Sequence, residues 1–215
     1  MANLTSNSER EERAAARSCG PCSLCCSVLR VDDLEKPAGK NCRHQLGVPA
    51  GDPDEAMIAD GSQPSPIGPV AGGCGIYHDR PSICRAYQCL WRQGGLEDDE
   101  RPDETGGIVD LETIGIGLRL GIRMRSIEAF DDSPKLQAIA ERYRSEMSIR
   151  ITDSRDVTNP DRPFRVLLPE GLEHRVFGER IEVYQDGVQS DEKILPWAER
   201  LGRKIMIWWR RRTLP

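Results

Sequence analysis

Aromatic side chains are scarce in this chain, 5% of 215 residues, and hydrophobic residues reach only 38%. A core built from so little is thin for a chain of this length, so part of it needs another means of holding together. Long apolar runs are missing as well. The longest stretches, such as Ile205-Met206-Ile207-Trp208-Trp209, fall far short of the roughly 20 residues that cross a bilayer, so no transmembrane segment is expected. The opening residues 1–17 are polar and charged, with no apolar stretch of signal-peptide type, and the chain is therefore expected to be cytoplasmic. A surplus of basic charge is also lacking. The net charge is −5, and nucleic-acid binding, which needs phosphates neutralised by Lys and Arg, is not expected. There is no P-loop and no dinucleotide fingerprint (Gly115-Ile116-Gly117 is too short), and the C-x-x-x-C-x-x-C spacing of radical S-adenosylmethionine enzymes is absent. Finally, no cysteine follows Cys89.

What the second half lacks, the first half concentrates. Eight cysteines lie there: Cys19, Cys22, Cys25, Cys26, Cys42, Cys74, Cys84 and Cys89. In a reducing compartment disulfides are disfavoured, and close-spaced thiols are better explained as metal ligands. An even count also fits four disulfides, which the missing export signal argues against. The run Cys19-Gly20-Pro21-Cys22-Ser23-Leu24-Cys25-Cys26 carries the strongest signal. Two-residue spacers let tight turns aim thiolates at one metal, and Gly20-Pro21 suits such a turn. Overlapping spacers resemble iron–sulfur ligation, although the fourth cysteine here is adjacent rather than three residues on. Because adjacent side chains diverge, Cys26 is expected to point away from Cys19, Cys22 and Cys25, and to join Cys42, Cys74, Cys84 and Cys89. Eight thiols divide into two four-sulfur sites, of zinc or iron–sulfur, or into one cluster plus structural cysteines. His44, two residues after Cys42, is either a further ligand or a loop histidine; His78 and His174 have less support.

Composition separates a charged tail or helix (1–17), a cysteine module (18–93), an acidic, Gly-flanked linker (94–107) and an α+β domain (108–215). Within the module, Pro and Gly crowd residues 47–75 and prevent regular structure, so the ends of that stretch need tethering near Cys42 and Cys74. Pro81 is expected to open a helix to Gln93. On it Cys84 and Cys89, five positions apart, would lie about 140° apart around the axis, so a shared metal requires the helix to end or distort. In the second half, Leu118, Leu120, Ile122 and Met124 alternate with Arg119, Gly121, Arg123 and Arg125 as in a half-buried strand. Ser133-Pro134 caps a helix to about Met147, with Leu136, Ile139, Ala140 and Tyr143 as its apolar stripe. Short strands are expected at 148–152 and 165–168, and a hairpin at 175–184. Residues 196–212 read as a closing helix that buries Trp197, Leu201, Ile205 and Trp208; the alternative for its Arg-rich end is contact with an anionic membrane or partner.

Four blocks together resemble the YkgJ-type cysteine-cluster family: residues 19–26, Lys36-Pro37-Ala38-Gly39-Lys40-Asn41-Cys42, Gly73-Cys74-Gly75-Ile76-Tyr77, and the segment from Arg80-Pro81-Ser82-Ile83-Cys84 to Trp91. That family is described as a zinc- or iron-chelating domain and sometimes as an iron–sulfur oxidoreductase; flagellin lysine methylases carry a related cluster. The resemblance covers residues 18–93 and implies all eight cysteines as ligands. It implies an iron–sulfur cluster, with a 4Fe–4S type favoured, or zinc, and leaves the reaction open between a redox or transferase enzyme and a non-enzymatic metal-binding module. The long segment 47–72 departs from the family pattern. Arg80 and Arg85 beside the thiols are expected to stabilise an anionic cluster; the alternative for Arg80 is pairing with Asp79 or another surface carboxylate. Tyr77 and Trp91 are expected in core packing or as a shield against water.

Overall fold

A computed structural model describes residues 7–47, 73–155, 159 and 161–213. Most of the 47–72 stretch lies outside the described residues. Its two anchors are described, and they are joined: Gln45 and Cys74 form an antiparallel bridge, Leu46 N donates to Gly73 O at 3.1 Å, and Gly75 N donates to His44 O at 2.8 Å.

The second half is a mixed sheet of seven strands whose order follows the chain, giving the protein an α+β architecture. Strands β1 (Gly107–Ile114) and β2 (Gly117–Met124) are antiparallel, and β3 (Ile149–Asp153) runs parallel to β2. Strands β4 (Phe164–Leu167), β5 (Leu172–Phe177), β6 (Arg180–Gln185) and β7 (Val188–Ile194) continue as an antiparallel meander. The β6–β7 turn is Asp186-Gly187, with φ of 51° and 81°, and two positive φ values in a two-residue loop are what a right-twisted hairpin demands.

One face of the sheet carries Val109, Leu120, Ile122, Met124, Ile149 and Ile151 against a helix, Pro134–Arg144, that bridges the parallel strands β2 and β3. Ser133 starts that helix as the sequence reading expects: its hydroxyl accepts from Leu136 N and donates to Thr105 O at 2.7 Å. The helix stops at Arg144, three residues earlier than its pattern suggests. Leu136 and Ile139 are fully buried beneath it. Leu136→Ala should therefore cost about 2–5 kcal/mol, read as a lower urea midpoint at unchanged slope; a loss under about 1 kcal/mol would mean that the site collapses around the smaller side chain.

The other face, seen through the register pairs Ile108↔Arg123 and Arg123↔Thr152, meets the cysteine module, where Leu24 and Val28 pack on Ile108. Leu90 and Trp91 belong to the same core as the sheet, and Leu90 N donates to Val109 O at 2.8 Å. The acidic stretch 94–107 is not a solvated linker. Leu96 is buried, and Glu100 closes a capping box with Glu97 while pairing with Arg142, whose Nη1 lies 3.0 Å from its Oε2. Acidic residues read as solvent-seeking become structural once arginines meet them.

Among the described residues, no helix is long and apolar enough to cross a membrane. The C-terminal helix, Trp197–Thr213, forms as expected, yet Trp197, Leu201, Ile205 and Trp208 are all exposed rather than buried.

Candidate metal centre

The module is built from short pieces pinned by backbone bonds. After helix α1 (Asn7–Ala16), a turn closes with Cys22 N donating to Cys19 O at 2.8 Å, and Gly20 supplies its φ of 50°. Helix α2 (Leu24–Val28) follows, carrying Cys25 and Cys26. Cys42 N donates to Cys26 O and Gly73 N to Pro21 O, both at 3.0 Å, so the chain folds back on the cysteine run from both later segments. Beneath α2 a buried polar group locks these returns. Ser27 Oγ lies 3.0 Å from Asn41 Oδ1 and 3.1 Å from Gln45 Oε1, and Gln45 Nε2 donates to Ser23 Oγ at 2.9 Å. Helix α3 spans only Ser82–Ala86, not 81–93; Tyr87 turns extended, and Cys84 and Cys89 are freed from the 140° separation of a continuous helix.

All eight cysteines line one cavity of about 330 Å³, and none is in a disulfide. Cys42 is buried and the rest are partly so. Among the described residues no three His, Cys, Asp or Glu side chains meet closely enough to hold a single metal ion. The thiols are thus spread around a wall instead of converging on a point. Cys25 and Cys26 do not diverge: both line this cavity, and their side chains are hydrogen-bonded to each other. Cys89 and Cys26 line the same cavity. The electrostatic neighbours of Cys89 include Cys25 and Cys19, whereas Cys84 has Cys25, Cys42 and Cys74 around it.

The remaining wall is largely apolar, with Leu29, Val31, Ile76 and Ile83 among its residues, and five cationic side chains interrupt it: Arg30, Lys36, Arg80, Arg92 and Arg123. Arg80 stacks on Tyr77, 4.0 Å from the ring centroid, and contacts Cys19, while Arg85 is exposed outside the cavity. Lys36 sits under the thiols, Nζ donating to the Leu29 and Pro37 carbonyls; burial lowers its pKa to about 8 although Cys26, Cys42, Cys25 and Cys84 pull the other way. Arg123 pairs with Asp110 at 3.2 Å, and Asp110 receives the Tyr87 hydroxyl at 2.7 Å. Burial pushes the Cys22 thiol up, as it does Cys84, and raises Cys89 to about 11; Cys25 is raised first by its bond to Cys26 and then by burial. As bare thiols these four groups resist ionisation, and a cation placed among them opposes that.

Trp91 lines the cavity while packing in the core, its indole donating to Asp98 O at 3.2 Å. His44 also faces the cavity; His78 and His174 do not. The cations at 36 and 123 escape a reading of the sequence. In the β2 pattern Arg123 occupies the position of a solvent-facing residue, and only a distant segment covering that face turns it inward. No family model, curated protein or solved structure matches the chain, so the reading of the site rests on its own residues.

Proposed function

We propose that this chain is a metal-binding protein that holds an iron–sulfur cluster through its cysteine thiolates. The observation that carries the reading is the gathering of all eight thiols on one cavity wall. A single zinc ion needs four ligands at about 2.3 Å from one point, which here requires the wall to close in. A polynuclear cluster, with its own bulk and bridging sulfides, suits thiols spaced around a cavity of about 330 Å³. Lys36, Arg80 and Arg123 fit the same reading, because a thiolate-ligated cluster is anionic and nearby cations stabilise it and tune its potential. When bound, the cluster would supply electron transfer or Lewis acidity. The protein's part is to hold the thiols, exclude water with the apolar wall, and balance charge. His44 on the wall favours a second reading, a zinc-binding module with a mixed Cys/His ligand set.

Protein purified without oxygen is expected to be brown, with broad absorbance near 400 nm and matching iron and acid-labile sulfide. Colourless protein with one or two zinc ions per chain and no sulfide would replace the cluster reading with the zinc module. Protein that binds neither metal after anaerobic reconstitution would overturn both.

A further inference from the structure

The C-terminal helix, α6 (Trp197–Thr213, with α4 at Pro102–Thr105 and α5 at Pro134–Arg144 before it), has no part in the metal centre. We infer that α6 lies flat on an anionic lipid bilayer and holds the protein there.

At about 100° per residue, Trp197, Trp208, Leu201 and Ile205 fall within one stripe about 80° wide, with Trp209 at its margin. Arg203 lies on the opposite side, Arg200 about 100° from the middle of the stripe, and Lys204 borders the stripe beside Trp197. The helix meets the rest of the molecule through the side of Arg200 and Arg203: Arg200 pairs with Glu179, and the Arg203 guanidinium lies 5.7 Å from the Phe164 ring centroid. The apolar stripe therefore faces outward. Trp197 is 70% exposed and Ile205 54%, which no core-packed helix tolerates over so many large side chains.

Charge and composition select the occupant. The helix carries Arg200, Arg203, Lys204, Arg210, Arg211 and Arg212 against one acid, Glu199, in a chain whose net charge is −5. The rest of the molecule is thus strongly acidic and is repelled by an anionic surface to which this one helix is drawn. Three of the four tryptophans of the chain lie in it, and tryptophan prefers the boundary between headgroups and acyl chains. At about 25 Å and with this charge the helix cannot cross a bilayer, but a Trp-rich stripe beneath flanking cations is the pattern of a helix lying in the interface. Two copies of the helix would repel each other.

The full chain should sediment with phosphatidylcholine vesicles containing one quarter phosphatidylglycerol, and not with pure phosphatidylcholine vesicles. Tryptophan emission should shift to the blue on binding. Raising salt from about 0.05 to 0.5 M, which shortens the screening length severalfold, should release it. Ile205→Glu should weaken partition at least tenfold, and Lys204→Glu at least roughly fivefold, with the thermal midpoint of both variants unchanged because both positions are exposed. Failure of the wild-type chain to sediment with anionic vesicles would overturn the proposal, as would an Ile205→Glu variant that binds like wild type. Concentration-dependent dimerisation without lipid, abolished by Ile205→Glu, would assign the stripe to a second copy and overturn it as well.

Discussion

Cys25→Ser should empty the proposed metal centre. Cys25 neighbours Cys22, Cys26, Cys84 and Cys89 electrostatically, more of the other thiols than any single turn of the module would bring together. Losing a partner outside the coordination shell costs about 10–100-fold in metal affinity, and losing a ligand this central should exceed that range. The expected result is iron or zinc near background after gel filtration, and loss of visible absorbance. Metal binding and folding are linked in small cysteine modules. Residues 18–47 and 73–93 should therefore be cut faster by protease, while the far-ultraviolet signal of the sheet persists, because Leu120, Ile122, Ile149 and Ile151 are buried in the core shared with α5. Ser82→Ala, on the exposed side of α3, serves as the control that changes neither. Wild-type metal content in Cys25→Ser would remove Cys25 from the ligand set. Wild-type protease resistance after the metal is stripped would show that the hydrogen bonds under α2 suffice to hold the module.

The second large effect is expected at Arg17, a residue that composition places in a charged tail. Its side chain is 6% exposed, donating to Trp91 O at 2.6 Å, Leu96 O at 2.8 Å and Asp98 Oδ1 at 2.6 Å, with its guanidinium 4.7 Å from the Trp91 ring centroid. Arg17→Ala leaves two carbonyls without their donor, at about 1–3 kcal/mol each where water cannot replace it. A net loss of about 3 kcal/mol should lower the Tm by roughly 6–12 °C in a domain of this size. Arg17→Lys should recover little, since an ammonium group cannot span three acceptors in a fixed fork. Because Trp91 also lines the cavity, metal should leave the variant faster under chelator than it leaves wild type. A change under about 0.5 kcal/mol, the scale of an exposed ion pair, would mean that α1 is not docked in solution.

How far such features can be read in advance depends on whether neighbours in space are neighbours in sequence. The Ser133-Pro134 start, the β2 alternation and the 175–184 hairpin are local, and they stand where the residues put them. Strand β1 was not legible, because Ile108 packs on α2 while Val109 packs toward α5; burial on both faces erases the alternation. Strand β7 is exposed along its whole length and so has no apolar period, though Asp186-Gly187 was a usable hairpin signal. In α6 the amphipathic pattern was correct, but a pattern says that an apolar face exists, not what covers it. At the site the eight cysteines were plain from spacing. Their distribution around one wall was not, since it depends on α3 ending at Ala86 and on the returns at Cys42 and Gly73.

The sheet order bears on how the protein is made. Strands adjacent in the sheet are adjacent in the chain, and the one parallel joint, β2 to β3, is spanned by α5. Pairings this local close small loops and form early, whereas the cysteine module must bring Cys19, Cys42, Cys74 and Cys89 together from well-separated segments. The sheet, though synthesised last, is thus the part that can fold first, presenting Ile108 and Arg123 as its share of the cavity wall. The thiol segments complete it afterwards, so the cavity closes only when the cysteine module has folded onto the sheet.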